Sequence, residues 1–505
     1  MDNRHATHGH RFRGHTALRQ HTTRIDPRRW WMLLLCAALS ACQSVPPPKT
    51  SNIPLVNSTA SEVLPDAKWW RQFDDPVLNQ LIERAAANNL DINVAVARLQ
   101  QAQAGVGATQ SRLLPSVSLG GGVSDSKSDL PAAVKQGKPD TKALQLSADL
   151  KWELDVFGSN RAAANAAAAE AQAASWGISG TQLLVLGEVV RQYMTWQGAA
   201  ERLRLLDQLL ANQQQTLQRT QSLRKEGMAS DFDLSRVQAE ISSTQALLPS
   251  LRTLQAVSQH RLSVLTGENP AAPSFILTAK PVSAWPVLRA LPRQQQADLL
   301  KRRPDVRAAE QQLTASSAAL ASAKADRFPK FFANAVWGEQ KLRLNGLQLA
   351  TSPYQQVALA FSAPILNRGL INANIEAKTA QEQQALLKYD HTILQAIEQV
   401  ENSLVAAQQE QQRTQALLQS REQRQTALKH AKSLYREGQT GVLPVLDVER
   451  GILSAELSLV DSQLQNSLNL IQLYTAMGGG WDQLPLPNTL ASPAHSASTT
   501  GATTP

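Results

Sequence analysis

Cys42 is the residue whose type and setting most clearly predict chemistry. It closes the tetrapeptide Leu39–Cys42 (LSAC), which follows the basic pair Arg28 and Arg29 and a short apolar run. A basic segment, an apolar core and small residues before a cleavage point are the parts of a secretory signal peptide. LSAC also resembles the bacterial lipobox, which implies cleavage before Cys42 and a thioether-linked diacylglycerol and an amide-linked acyl chain on that residue as a stable membrane anchor. The alternative interpretation is an ordinary signal peptide with an incidental cysteine.

The rest of the sequence contains no constellation that predicts enzymatic chemistry. Five of the nine histidines lie in the leader, and the other four are isolated from one another. We find no Walker loop, no zinc-ligand cluster and no convincing nucleophile elbow. The glycine triplets fall in a candidate strand (120–122) and at a helix end (478–480). We therefore predict a protein that is not an enzyme and has no cofactor or metal, apart from the covalent lipid on Cys42.

The net charge of +9 overstates the basic character of the processed chain. The leader contributes +5 of it, from seven arginines and two aspartates, so about +4 remains for the other residues. Such a mild charge does not indicate a nucleic-acid partner. Because Cys36 and Cys42 are the only cysteines, no disulfide is expected and packing must supply the stability.

The elements that must position any functional residue read mostly as very long helices, rich in Ala, Gln, Leu, Glu and Arg. One helix is expected from 159 to about 226, and its length would be about 100 Å at 1.5 Å per residue. Apolar residues recur at alternating steps of four and three, which predicts side-by-side packing of the coiled-coil kind. The stripes are Val237, Ile241, Thr244, Leu248 and Leu251; Ile393, Ile397, Val400, Leu404 and Ala407; and Leu453, Leu457, Val460 and Leu464.

Two similar segments interrupt these helices. SLRKEGMASDFDL occupies 222–234, SLYREGQTGVLPVL occupies 433–446, and their glycines, Gly227 and Gly438, are 211 residues apart. A glycine between two amphipathic helices suits a left-handed helix end. We therefore predict that each segment is the turn at the tip of a helical hairpin, the alternative being a kink in one continuous helix.

Four segments read as strands, at about 116–126, 143–154, 331–342 and 354–366. Apolar residues alternate in them and aromatic residues are concentrated there, which is typical of a transmembrane barrel with an aromatic girdle. Four strands cannot close a barrel, and an open edge is not viable in lipid. Several copies of the chain must therefore share one barrel, if these strands span a membrane.

Strands and helices repeat in the same order, which indicates a tandem duplication. The predicted divisions are a lipoprotein signal peptide (1–41), a lipidated tether (42–65), a first repeat (66–270), a linker (271–298), a second repeat (299–482) and a disordered tail (483–505). The fold class is mostly α with a transmembrane β part, built from duplicated long helical hairpins and four strands per chain. RRPDV (302–306) predicts a helix start, with Pro304 in the first turn.

Three segments carry a resemblance to a known family: 68–92, KWWRQFDDPVLNQLIERAAANNLDI; 299–329, which contains RRPDVRAAEQQL; and 473–481, LYTAMGGGW. They resemble the NodT-type lipoproteins of the TolC outer-membrane efflux family. The resemblance implies a homotrimer in the cell outer membrane, with a twelve-stranded barrel and a periplasmic helical tunnel. It also implies an exit duct for small molecules in a tripartite pump, completed by a periplasmic adaptor and an inner-membrane transporter.

The same resemblance implies a role for the hairpin tips, which in the family contact the adaptor and constrict the tunnel. Aligned on Gly227 and Gly438, the family's gate positions fall on Tyr435, Asp233 and Asp447, which are the gate candidates. Two further gate positions fall on Thr440 and Pro444, so the sequence departs from the complete ionic lock. The alternative is that both aspartates are solvated or helix-capping residues.

Two other functions fit parts of the sequence. An exit duct for protein secretion would have the same fold. A structural periplasmic lipoprotein without a pore fits the heptads and the lipid anchor, but not the aromatic strands.

Overall fold

The computed structural model describes residues 53, 68–127, 140–278, 285, 301–344 and 347–483. The predictions for the leader, Cys42, most of the tether, most of the linker and the tail beyond 483 lie outside these residues and stay predictions. Eight helices are described here: α1 Pro76–Asn88, α2 Leu90–Ser111, α3 Ser159–Lys225, α4 Asp231–Gln245, α5 Leu248–Leu265, α6 Pro304–Ala325, α7 Arg368–Arg436 and α8 Leu443–Ala476. Short 3-10 helices at Trp69–Phe73 and Trp481–Gln483 flank them.

The two longest helices set the dimensions of the molecule. Helix α3 has 67 residues and α7 has 69, so each is about 100 Å long. The prediction of a helix over 159–226 is confirmed to within one residue. Asp155 caps the start of α3, because its carboxylate accepts hydrogen bonds from the backbone N–H groups of Asn160 and Arg161 at 3.1 and 2.8 Å. Within the described ranges, no helix combines the length and the apolar character needed to cross a membrane.

The tandem duplication is visible in the backbone. Gly227 and Gly438 both have positive φ, 75° and 70°, at the ends of α3 and α7. A second pair, Gly267 and Gly478, ends α5 and α8 with φ of 75° and 68°. The members of this second pair are also 211 residues apart in the sequence. Each repeat therefore has the same helical hairpin with the same two glycine-ended helices.

The two hairpins differ in their returning arms. Helix α8 runs unbroken for 34 residues, whereas the equivalent arm of the first hairpin stops at Gln245 and restarts at Leu248 as α5. The heptad stripe from Val237 to Leu251 crosses this break, so it does not mark one helix. Pro249 lies in the first turn of α5, where a residue without an N–H group is tolerated.

The strands form one antiparallel sheet: β1 Ser116–Ser126, β2 Thr141–Leu154, β3 Lys330–Leu344, β4 Leu347–Gln348 and β5 Ser352–Ser362. The four long strands lie in the order β1-β2-β3-β5, and β4 is a short pair at the end of β3. The predicted 116–126 strand is confirmed, and β2 and β3 extend slightly beyond 143–154 and 331–342. The prediction of a strand to 366 is wrong. The chain leaves the sheet at 362 because Pro364 has no N–H group for the ladder.

The two faces of the sheet have different chemistry. On one face, the register places exposed apolar side chains next to one another across all four long strands. These side chains are Val117, Leu119, Val123, Leu144, Leu146, Trp152, Trp337, Val357, Leu359 and Phe361. The other face carries many small and polar residues, including Ser118, Gln145, Asp149, Asn334 and Gln356. An exposed apolar face opposite a polar face is the pattern of a membrane barrel wall.

A buried aromatic cluster joins the two repeats away from the tips. The Trp69 ring stacks on Tyr474 with centroids 5.2 Å apart, and its Nε1–H donates to the Gly479 carbonyl at 3.2 Å. Gly480 has a φ of 98°, and a Cβ there would lie 2.9 Å from Trp70. The glycine triplet is therefore a helix end packed under tryptophans, as the sequence predicted for a helix stop.

Arg303 connects three helices at the predicted start of α6. Its buried guanidinium donates to the Ala476 carbonyl at 2.7 Å, to Gln399 at 2.9 Å and to both oxygens of Asp305. The bond to Ala476 satisfies a carbonyl at the C-terminus of α8 that has no partner within its own helix. RRPDV is thus a helix start with a structural role, as predicted.

Candidate functional site

The candidate site is the pair of hairpin tips at the ends of α3 and α7 that lie farthest along the chain from the sheet. Both tips close in the same way. Met228 N–H donates to the Leu223 carbonyl at 2.8 Å, and Gln439 N–H donates to the Leu434 carbonyl at 2.9 Å. With the positive φ of Gly227 and Gly438, these are Schellman helix ends. The prediction of two hairpin turns is confirmed, and the alternative of kinks is excluded.

Asp233 forms a capping box at the start of α4. The Ser230 hydroxyl and N–H donate to its carboxylate at 2.7 and 3.0 Å, and Asp233 N–H donates back to the Ser230 hydroxyl at 3.1 Å. These bonds lower the pKa of Asp233 below its ordinary value, the hydroxyl bond having the largest effect. In the geometry of one chain, the Asp233 carboxylate therefore caps its helix, which is the alternative considered from the sequence.

Tyr435 lies between the two hairpins, in the position expected of a tip contact. Its hydroxyl is 3.3 Å from the Thr220 hydroxyl, and the Arg219 guanidinium lies over its ring, 5.8 Å from the centroid. Arg219 also donates to the Arg436 carbonyl at 3.2 Å. Helix α3 of the first hairpin is thereby tied to the last turn of α7 in the second.

Asp447 lies in the second turn of α8, and its side chain is 63 % exposed. Within the described part of the chain, its carboxylate lies 3.6 Å from the guanidinium of Arg450, one turn further on. Thr440 and Pro444 stand at the two gate positions where this sequence departs from the family. Thr440 lies in the turn before α8, and Pro444 lies in the first turn of α8. Asp447 therefore remains free to face other copies of the chain or solvent.

Arg450 makes a bidentate ion pair between the two hairpins near the tips. Its Nη2 and Nε donate to the two carboxylate oxygens of Glu240 at 2.9 and 3.3 Å. Hydrogen bonding to Glu240 raises the pKa of Arg450 above its ordinary value. The sequence analysis did not predict this pair, although the duplication offered a signal. Equivalent positions in the two repeats are 211 residues apart, so the equivalent of Glu240 is position 451, next to Arg450.

An apolar cluster packs beneath these polar contacts. Val237 and Ile241 of α4, with Leu210 of α3, meet Val442 and Leu446 of the second hairpin. None of these five residues was singled out as a site residue, although Val237 and Ile241 lie on the predicted heptad stripe. The cluster means that the two tips of one chain move together unless apolar surface is exposed.

An ion pair with a buried carboxylate lies inside the second hairpin, one turn from the tip contacts. Lys432 Nζ of α7 is 2.8 Å from Glu449 Oε1 of α8, and the Glu449 side chain is 2 % exposed. Breaking such a pair leaves an uncompensated buried charge, which is strongly destabilising. The pair therefore fixes how α7 and α8 align along their length.

Comparison with known proteins agrees with this geometry. The family described as "Outer membrane efflux protein" matches residues 81–268 and 297–479. The pyoverdine export outer membrane protein OpmQ of Pseudomonas putida is 30% identical over 468 residues, which cover 90% of this chain and 98% of that protein. Nodulation protein T of Rhizobium leguminosarum bv. trifolii is 29% identical, over 82% of this chain and 88% of that protein.

Solved structures show the same fold. The outer-membrane channel OprN superposes with a TM-score of 0.81 at 29% identity, covering 87% of this chain and 100% of that one. The open state of the Neisseria gonorrhoeae MtrE outer membrane channel gives a TM-score of 0.76 at 24% identity, covering 87% and 97%. Long helical hairpins on a sheet with one apolar face thus define an outer-membrane channel.

The chain belongs to the outer membrane efflux protein family. It is an outer-membrane exit duct of an efflux pump. The family consists of transport ducts, so the chain is not an enzyme.

Proposed function

We propose that three copies of this chain form one duct across the outer membrane, with the helices as a tunnel in the periplasm. Each copy contributes four long strands to a twelve-stranded barrel. The tips at Gly227 and Gly438 receive a periplasmic adaptor that connects the duct to an inner-membrane transporter. Lipid chains on Cys42 anchor each copy to the same membrane.

The sheet supports this assembly more directly than any other feature. β1 and β5 form its two edges, and each pairs on one side only. With one face apolar, the sheet belongs in lipid, where an unpaired edge leaves backbone groups without partners. Pairing β5 of one copy with β1 of the next satisfies both edges, and a closed ring of copies has none left.

The layer of helices also has two edges, as the sheet does. Helix α3 packs against α2, α5, α6 and α8, while α7 packs against α6 and α8. One edge of the helical layer is therefore α7, and the other is α2 with α5. Exposed apolar side chains lie on both edges, at Leu387, Leu394 and Val405 of α7 and at Val257 and Val264 of α5. Contact between copies along these edges would bury them.

At the tips, we propose that the contacts between the two hairpins keep the periplasmic end narrow. Arg450 with Glu240, and Tyr435 with Thr220 and Arg219, tie the hairpins within each copy. Three exposed Asp447 carboxylates, one per copy, would form a ring that attracts cations. Asp233 would contribute charge to this ring only if it left its capping position.

The adaptor contact is proposed for the exposed residues of the first tip. Met228 and Phe232 are 68 % and 61 % exposed at the free end of the hairpin. Interfaces are enriched in methionine and aromatic side chains, so these two residues are suited to a protein partner.

Electron microscopy of the detergent-purified protein with image averaging tests the proposal. Hollow cylinders with threefold symmetry, longer than about 100 Å as the α3 and α7 lengths require, are expected. Solid rods without a lumen would contradict the duct and favour a spacer lipoprotein. The tip contact would be supported if the protein copurifies with an adaptor and the double variant Met228→Ala with Phe232→Ala does not.

A further inference from the structure

We propose that Lys341 and Arg343 of β3 form a site for lipid phosphate groups, occupied by the phosphorylated glycolipid (lipopolysaccharide) of the outer leaflet. The placement rests on the proposed function. With the helices in the periplasm, the end of the sheet opposite the helices faces outward. Strand β3 begins five residues after α6 ends, and its far end, near Leu344, is the end opposite the helices.

The register shows an abrupt change of chemistry along one face of the sheet. On β3, Phe331 and Trp337 lie on the exposed apolar face, with Trp337 beside Ala148 of β2. The next residues of β3 on that face are Glu339, Lys341 and Arg343, and all three are exposed. On β3 itself the apolar side chains of this face therefore end at Trp337, and charged side chains follow at once.

The height of the apolar region matches a membrane. On β2, it extends from Trp152 to Leu144, a length of about 27 Å along the strand at 3.4 Å per residue. A strand tilt of roughly 40° reduces this to about 21 Å, close to the apolar band of outer-membrane barrels. Lys341 pairs with Leu144, at the last apolar row. Its ammonium group therefore reaches the level of lipid headgroups, since lysine and arginine stems extend along apolar surfaces.

Three cationic side chains at this end of the sheet differ in whether they have an acidic partner. Lys142 pairs with Asp125 at 2.8 Å, so its charge is matched. Lys341 has no acidic partner among the described residues, and Arg343 makes one hydrogen bond, to the Gln348 side chain at 3.3 Å. The two cations stand about 7 Å apart, two residues along one strand. Arginine binds phosphate through two parallel hydrogen bonds and lysine binds it as a point charge.

One acidic group lies on the same face of β3. Glu339 stands between Trp337 and Lys341, so Glu339, Lys341 and Arg343 together carry a net charge of +1. The acid is nearer the apolar band, and the two cations are farther out, where the phosphates of a lipid inserted in the leaflet would lie. This order favours a lipid headgroup, because its acyl chains can pack on the apolar face while its phosphates reach the cations.

Native mass spectrometry of the purified protein with added lipid A tests the site. We expect wild-type protein to bind phosphorylated lipid A at least tenfold more tightly than dephosphorylated lipid A. Lys341→Gln and Arg343→Gln should each weaken binding several-fold, and the double variant should lose the preference for phosphate. Lys151→Gln is the matched control, because Lys151 is a lysine of β2 on the opposite face, and its binding should equal wild type.

Three results would overturn the lipid site: equal binding of the two lipids by wild type, full binding by the double variant, or displacement of lipid A by millimolar inorganic phosphate. The last would indicate a general anion site. The same samples are imaged, so a hollow threefold assembly with no lipid preference would reject this inference alone. Failure to form the assembly would instead reject the proposed function.

Discussion

Arg450 and Glu240 face each other across the two helical hairpins of one chain, with two hydrogen bonds of 2.9 and 3.3 Å between guanidinium and carboxylate. The two residues are 210 positions apart and belong to different repeats. A bidentate arginine–carboxylate pair has a fixed geometry, so it resists rotation of one hairpin against the other.

Glu240→Gln should raise the fraction of time that the duct spends in its high-conductance state. Exposed ion pairs contribute about 0.2–1 kcal/mol each, and Arg450 is 55 % exposed. Three copies at about 0.5 kcal/mol would shift the open population roughly tenfold. Planar-bilayer recordings give this fraction. An unchanged open fraction in Glu240→Gln and Arg450→Gln alike would show that the pair does not restrain the tips.

Asp447→Asn should change the ion selectivity of the duct and leave the fraction of time that the duct is open unchanged. Among the described residues, Asp447 pairs with Arg450 of its own helix, and its exposed carboxylate contributes charge near the tip. We expect the reversal potential in a salt gradient to shift toward less cation preference, with the open fraction unchanged. Selectivity identical to wild type would remove Asp447 from the proposed ring.

Lys432→Met should destabilise the second hairpin strongly. Removing Lys432 costs about 3–5 kcal/mol, because the Glu449 carboxylate, which is 2 % exposed, is then buried without a counter-charge. The double variant Lys432→Met with Glu449→Leu should regain most of the stability, since neither charge remains. Thermal unfolding followed by circular dichroism measures both. Equal losses in the single and double variants would contradict a paired role.

Gly438→Ala should lower stability by about 1 kcal/mol, because alanine is strained at positive φ. A Cβ at Gly438 meets no atom within 4 Å, so the effect comes from the backbone alone. Gly441 offers a matched control three residues away. It is equally uncrowded and does not have positive φ, so Gly441→Ala should be close to neutral. Similar losses in both variants would contradict the left-handed turn.

Asp233 should make the first turn of α4 sensitive to acid. Its pKa is lowered in the folded protein by the Ser230 hydrogen bonds, so its contribution is present above the ordinary aspartate pKa of about 3.9. The contribution is lost as the pH falls through the lowered value. At neutral pH, the α4 amides should exchange more slowly in wild type than in Asp233→Asn. This difference in exchange rate should vanish in strong acid. A constant difference would exclude the capping role.

The sequence was most informative where a local rule governs the structure. The left-handed ends at Gly227 and Gly438 follow from glycine's backbone freedom, and the helix start at Pro304 follows from a residue without an N–H group. The extent of α3 was predictable because helix formers dominate the segment and no proline interrupts it before the tip. The wrong end of β5 came from following apolar alternation past Pro364, where the hydrogen-bond ladder must stop.

The candidate site was predictable only in part. Tyr435 was expected as a gate candidate at the tips, and the structure places it against Thr220 and Arg219 of the same chain. Arg219 and Thr220 lie on α3 in the other repeat, and no local pattern pairs them with Tyr435. Likewise, the sequence left Asp233 open between gate and cap, and the distance to Ser230 identifies its bonding within one chain.

By itself, the sequence determined the long duplicated hairpins, the alternating strands and the family, because each depends on short-range periodicity or on continuous motifs. The tertiary structure alone decided which charges meet: Arg450 with Glu240, Lys432 with Glu449, and Lys341 with no acid among the described residues. The physical reason is that ion pairing depends on the separation of two atoms to within about 1 Å. The rotation of each helix and the register of each strand set that separation. A heptad pattern or an alternation shows only which face of the element a residue lies on.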